Sequence, residues 1–165
     1  MAISSVLQNS FKAELLGGYH SFNASGDTPA GSAFKIALYS DELANLATTT
    51  TQWVVAATPT ADPTNTYEVT TTGSGYTSGG NALTNTGVGT TTVTSFTDFS
   101  DTSWTSASFT ARGCLIYNSS SISGLTSNAA VCSIDFGGDK TVSSGTFTIQ
   151  FPTNDSSSAI IRITS

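Results

Sequence analysis

Residues 110–152 read TARGCLIYNSSSISGLTSNAAVCSIDFGGDKTVSSGTFTIQFP, and this stretch decides the fold class. It holds three runs rich in β-branched and aromatic residues: 114–117 (CLIY), 131–136 (VCSIDF) and 146–151 (TFTIQF). Such residues suit a pleated, half-buried surface. A polar loop separates the first two runs, and a Gly-Gly-Asp-Lys turn with a Ser-Ser-Gly segment is expected between the second pair. Cys114 and Ile116 point one way by period-two alternation, Leu115 and Tyr117 the other. Cys132, Ile134 and Phe136 share a face, as do Phe147, Ile149 and Phe151, with Thr148 and Gln150 opposite; the last run reads as a half-exposed strand ended by Pro152. A longer strand-like run over 104–117 carries a bend at Gly113.

Outward from this stretch the pattern continues. In 34–39 (FKIALY), Phe34, Ile36 and Leu38 share a face. Further strands are expected over 48–56, 67–71, 90–99 (with a bulge between Val93 and Phe96) and 159–163, and 58–65, with Pro59 and Pro63, is a break. Residues 41–47 read as a helical turn or loop, and 20–32 as a loop. One helix is expected over 5–16: Leu7, Phe11 and Leu15 make an apolar stripe, Ser5 with Gln8 fits a capping box, and Gly17-Gly18 is the stop. The expected architecture is all-β, an antiparallel sandwich, jelly roll or barrel of about eight to ten strands with one short N-terminal helix. One domain over 1–165 is expected, with its β body over 33–164.

Composition narrows the function classes. Ser and Thr make up about a third of the 165 residues, and charged residues only 10%, against an average near ~25%. Hydrophobicity is ordinary, so the chain reads as folded, with a neutral, hydroxyl-rich surface. The net charge is −6 and the five basic residues, Lys12, Lys35, Arg112, Lys140 and Arg162, are scattered. Nucleic acid and anionic membrane surfaces are therefore not expected partners, since both are bound by clustered positive charge. No apolar run approaches the ~20 residues of a membrane span, and the first residues lack the pattern of a signal peptide, so a cytosolic origin is expected. The acceptor patterns at Asn23, Asn118 and Asn154 are read as chance in so serine-rich a chain.

His20 stands alone without suitably spaced metal ligands. Ser32 and Lys35 match a Ser-x-x-Lys spacing, but Lys35 lies in a strand and the companion motifs are absent. Asp98 and Asp101 near Trp104 suggest the paired carboxyls of a glycosidase, yet turn chemistry accounts for them. The glycines of 73–80 read as tight turns or bulges rather than a phosphate loop. A hairpin would place Cys114 and Cys132 on one face; the geometry permits a disulfide, and two buried thiols are the favoured reading. No residue pattern points to a catalytic, cofactor-binding or metal-binding site, and no cofactor is expected.

Several segments in order carry a resemblance: Phe11-Lys12-Ala13-Glu14-Leu15-Leu16 with Gly18 and His20; Phe34-Lys35-Ile36-Ala37-Leu38-Tyr39; Gly75-Tyr76-Thr77-Ser78-Gly79-Gly80; Trp104 through Gly113; and Asp135-Phe136-Gly137-Gly138-Asp139-Lys140 followed by Gly145-Thr146-Phe147. Together they resemble small β-rich structural proteins of tailed-bacteriophage virions. The resemblance covers nearly the whole chain. It implies a non-enzymatic virion protein, foremost a capsid decoration or cement protein on the capsid exterior that clamps the major capsid protein and self-associates, often as a trimer. It names no partner-binding residue. A tail, neck or fibre component is the alternative, and a carbohydrate-binding module using Trp53, Trp104 and the five tyrosines as stacking platforms ranks below both.

Overall fold

The computed structural model describes residues 3–24, 30–40, 46–53 and 67–165. They form an all-β sandwich of two antiparallel sheets with one short helix. In chain order the elements are β1 (Val6–Leu7), α1 (Asn9–Leu16), β2 (Phe34–Tyr39), β3 (Asn81–Leu83), β4 (Asn85–Thr90), β5 (Thr94–Phe99), β6 (Thr102–Asn118), β7 (Ala129–Ile149) and β8 (Ile161–Thr164). The larger sheet has the order β1-β7-β6-β2-β3 and the smaller β4-β5-β8.

The apolar run 114–117 makes the centre of the larger sheet. β6 pairs with β2, Cys114 opposite Leu38 and Ile116 opposite Ile36, and with β7, Cys114 opposite Ile134 and Ile116 opposite Cys132. Both faces are covered here. Cys114, Ile116, Ile36 and Leu38 face a core shared with Phe11 of α1, Phe99 of β5 and Ile161 of β8. Leu115, Tyr117, Ala37 and Tyr39 face a second core closed by Ile3, Leu46 and Trp53. A continuous apolar run is what two covered faces require. Both cysteines are buried free thiols, diagonal to each other across the strand pair.

Several expectations need correction. The helix starts at Asn9 rather than near residue 5, because the segment before it is a strand: Val6 pairs with Ser133 and Leu7 with Cys132. The capping box does not form. Ser5 Oγ instead accepts the Asp135 N–H (3.0 Å), and the buried Gln8 side chain donates to Ser133 Oγ (3.1 Å). The stripe survives the shift, with Phe11 buried and Leu7 and Leu15 packed on the same core. Gly17 caps the helix, and Gly18 follows at φ +77°.

The runs 131–136 and 146–151 are not two strands joined by a turn. They lie on one 21-residue strand, β7, that ends at Ile149. The Gly-Gly-Asp-Lys segment is a bulge within it: Gly113 faces Asp135 and Ala111 faces Lys140, so three extra residues sit on β7. Asp135 builds the bulge. Its carboxylate accepts the Gly137 N–H (2.8 Å) and pairs with Arg112 (3.3 Å), while Gly137 takes φ +71°. A bulge bends its strand and raises its twist. The register shifts opposite it, between Ala111 and Gly113, while β6 continues as one strand through Gly113.

The run 90–99 is likewise not one strand, since residues 91–93 turn between β4 and β5. The described part of 48–56 has a turn and a single bridge, Gln52 to Ala129, and 67–71 a single bridge, Glu68 to Tyr39. The last strand is 161–164 rather than 159–163. The expectations for 41–45 and 58–65, and for residues 54–56, lie outside the described residues.

Candidate functional site

The residues that suggested chemistry in the sequence hold the fold together. His20 is buried against Phe11, ring centroids 5.0 Å apart. Asn118 Nδ2 donates to His20 Nδ1 (3.0 Å), and Asn118 Oδ1 accepts the Ser120 N–H, which fixes the amide's orientation. The proton therefore sits on His20 Nε2, which donates to Glu14 Oε2 (3.0 Å). Burial lowers the imidazole's pKa more than Glu14 raises it. The pair ties the end of α1 to the end of β6.

Asp98 and Asp101 do not face each other across a cleft. Asp98 is buried; its Oδ1 accepts the Phe99 N–H (2.8 Å) and its Oδ2 the Ile160 N–H (3.1 Å). Burial pushes its pKa up. Asp101 Oδ1 accepts the Phe151 N–H (2.9 Å). The two carboxylates anchor two later segments, a longer reach than the local turns expected of them.

The glycine-rich segment 73–80 lies on β2. Glu68 gathers it, accepting the Tyr76 hydroxyl (2.8 Å), the Ser78 hydroxyl (3.1 Å) and the Gly79 N–H (2.6 Å). Tyr76 in turn accepts the Leu38 N–H (3.0 Å), and Tyr117 donates to the Gly79 carbonyl (2.8 Å). Gly80 sits at φ +68°, where a Cβ would collide with the Ile36 carbonyl. Burial, then the Glu68 charge, raises the pKa of both tyrosines far above the ordinary value. These are turns fitted to a strand, as expected, and the motif Gly-Tyr-Thr-Ser-Gly-Gly has a packing reason.

Trp53 stacks on Tyr117 at 5.2 Å and Trp104 on Tyr76 at 6.1 Å, both indoles buried. Neither offers a platform to a sugar ring. Cys132 is held as a thiol by burial, then by the Asp98 charge, its pKa pushed up to about 12, and burial raises Cys114 as well. Among the described residues no three His, Cys, Asp or Glu side chains gather where they could hold a metal ion. No helix among them is long and apolar enough to cross a membrane.

The surface feature that stands out is a groove of about 780 Å³ beside β7. The bulge at Gly137 bends β7 so that its two halves line the same hollow: Ile134 and Phe136 from one, Phe147 and Ile149 from the other. Leu7 of β1 closes one end, and Phe151 and Ile160 add to the wall. All of these are half-buried apolar side chains packed on the main core. Among the described residues Lys140 is the one charged residue of the lining. The alternation over 146–151 was the signal in the sequence, but the other walls come from positions near 6, 134 and 160 that no spacing links. Comparison with protein-family models, with curated proteins and with solved structures gave no match.

Proposed function

We propose that this chain is a non-enzymatic structural protein of a tailed-bacteriophage virion, a capsid decoration or cement protein that binds the major capsid protein from outside and stabilises the shell. It is made in the host's cytoplasm and assembles on the capsid exterior, with self-association as a trimer favoured and with neither nucleic acid nor membrane as a partner. One observation carries the reading beside the resemblance. Glu68, Asp98 and Asp101 each accept a backbone N–H, and His20 is bonded to Glu14 and Asn118, while the outward positions of β6 and β7 are mostly Ser and Thr. Exposed Ser103 and Thr148 hydrogen-bond across the strands (2.8 Å), as do Thr110 and Thr141 (2.9 Å). A rigid, weakly charged frame of this kind suits a protein whose work is adhesion. Repeated over a symmetric lattice, modest contacts give high avidity.

The test is the copy number in purified virions, by quantitative mass spectrometry against the major capsid protein. The expected ratio is near one to one. A ratio of a few per cent would move the protein to the tail, neck or fibre, and absence from the particle would overturn both readings.

A further inference from the structure

The outer edge of β7 is only partly covered. β1 pairs with it at Ser133 and Cys132, and Ser5 takes the Asp135 N–H. There β1 departs, Ser4 donating its N–H to the Leu46 carbonyl (2.8 Å). The Gly137 N–H is satisfied by Asp135. From residue 138 to 149, no strand among the described residues pairs with the side of β7 away from β6. An antiparallel strand bonded on one side leaves alternate N–H and C=O groups facing outward. The apolar groove is lined at one end by Val6 and Leu7 of β1 and continues beside this edge. Lys140 sits on its rim, exposed and, among the described residues, without an acidic partner.

We infer that the free edge of β7 over residues 138–149, with the groove beside it, receives an extended strand of another protein carrying apolar side chains at alternate positions and a carboxylate against Lys140. Each part of the occupant follows from a feature of the site. The unpaired backbone groups select a strand, because only an extended backbone meets them at the right repeat. The half-covered Ile134, Phe136, Phe147 and Ile149 select apolar side chains every second residue. The lone cation in an otherwise uncharged lining selects an acid. The inference is independent of the virion reading, since it concerns what the isolated protein binds.

The probe is a short blocked peptide of alternating Val and Thr with an Asp at one end, titrated against the full chain by fluorescence anisotropy and followed by hydrogen exchange. Binding with slowed exchange of amides within 138–149 is expected. N-methylation of the peptide at alternate residues should weaken binding at least about tenfold, since it removes the strand's donors. Lys140→Glu, an exposed change that leaves the fold intact, should weaken the Asp peptide about fivefold and favour a peptide with Lys in its place. The inference is overturned by absence of binding, by equal affinity of the N-methylated peptide, by indifference to Lys140→Glu, or by a dimer of the protein itself that protects the same edge.

Discussion

β6 and β7 run side by side for most of their length, yet their two halves live in different surroundings. In the half around Cys114–Leu115–Ile116–Tyr117 and Ala130–Val131–Cys132, consecutive side chains enter cores on both faces and all are buried. In the other half, Trp104, Ala107 and Phe109 face Phe147 and Tyr76 on one side, while Ser103, Thr105, Ser108, Thr146 and Thr148 face water on the other. The same strand pair therefore serves as foundation at one end and as an exposed ribbon at the other. The bulge at Gly137, opposite Ala111–Gly113, marks the change. Stability should be concentrated in the first half and the capacity to bind in the second.

Substitutions test whether the two halves differ, and the greatest loss of stability is expected in the buried half. Ile116→Ala removes a wholly buried side chain at the sheet centre and should cost about 4 kcal/mol in urea denaturation. Gly80→Ala attacks the same region from outside, through a positive φ and a collision with the Ile36 carbonyl, and should cost about 3 kcal/mol. Ile149→Ala, in the half-covered ribbon, should cost only about 1 kcal/mol. If Ile149→Ala proves as costly as Ile116→Ala, the two halves do not differ in the way described.

The last and smallest effect sharpens the comparison through pH. His20 joins α1 to the end of β6 in the buried half, and its folded pKa lies below the ordinary 6.5. A base with a depressed folded pKa contributes stability above its unfolded pKa and loses it as pH falls through the folded value. Asp98 has the opposite sign: its raised pKa gives a contribution present below 3.8 and lost as pH rises through its folded value. His20→Gln, which keeps an amide for Glu14 and Asn118, should therefore flatten the loss of urea midpoint on acidification from pH 7 to 5. An unchanged slope would remove His20 from the account.

The sequence revealed the buried half more readily than the ribbon, for a physical reason. A continuous apolar run such as 114–117 is stable when buried on both faces, and alternation alone places Cys114 and Ile116 on one face and Leu115 and Tyr117 on the other, as in the structure. The ribbon's punctuation was ambiguous. Gly137-Gly138-Asp139-Lys140 satisfies the chemistry of a turn and of a bulge alike, and only pairing with β6, fixed by distant residues, selects the bulge. Ser5 illustrates the same competition at the N-terminus: its hydroxyl can cap a helix or close a strand edge, and the open Asp135 N–H takes it. The groove was least legible, since its walls meet only after β7 bends. The even spacing of Phe147, Ile149 and Phe151 pointed to a half-covered face without indicating what lay opposite.

Native-state hydrogen exchange along β7 tests the division most directly. Amides at residues 130–134 are expected to exchange only through global unfolding. Over 138–149 alternation is expected, with amides bonded to β6 protected and those on the outer edge exchanging rapidly. Uniform strong protection across 138–149 would contradict it, because the outer edge would then be covered and the two halves of the strand would be alike.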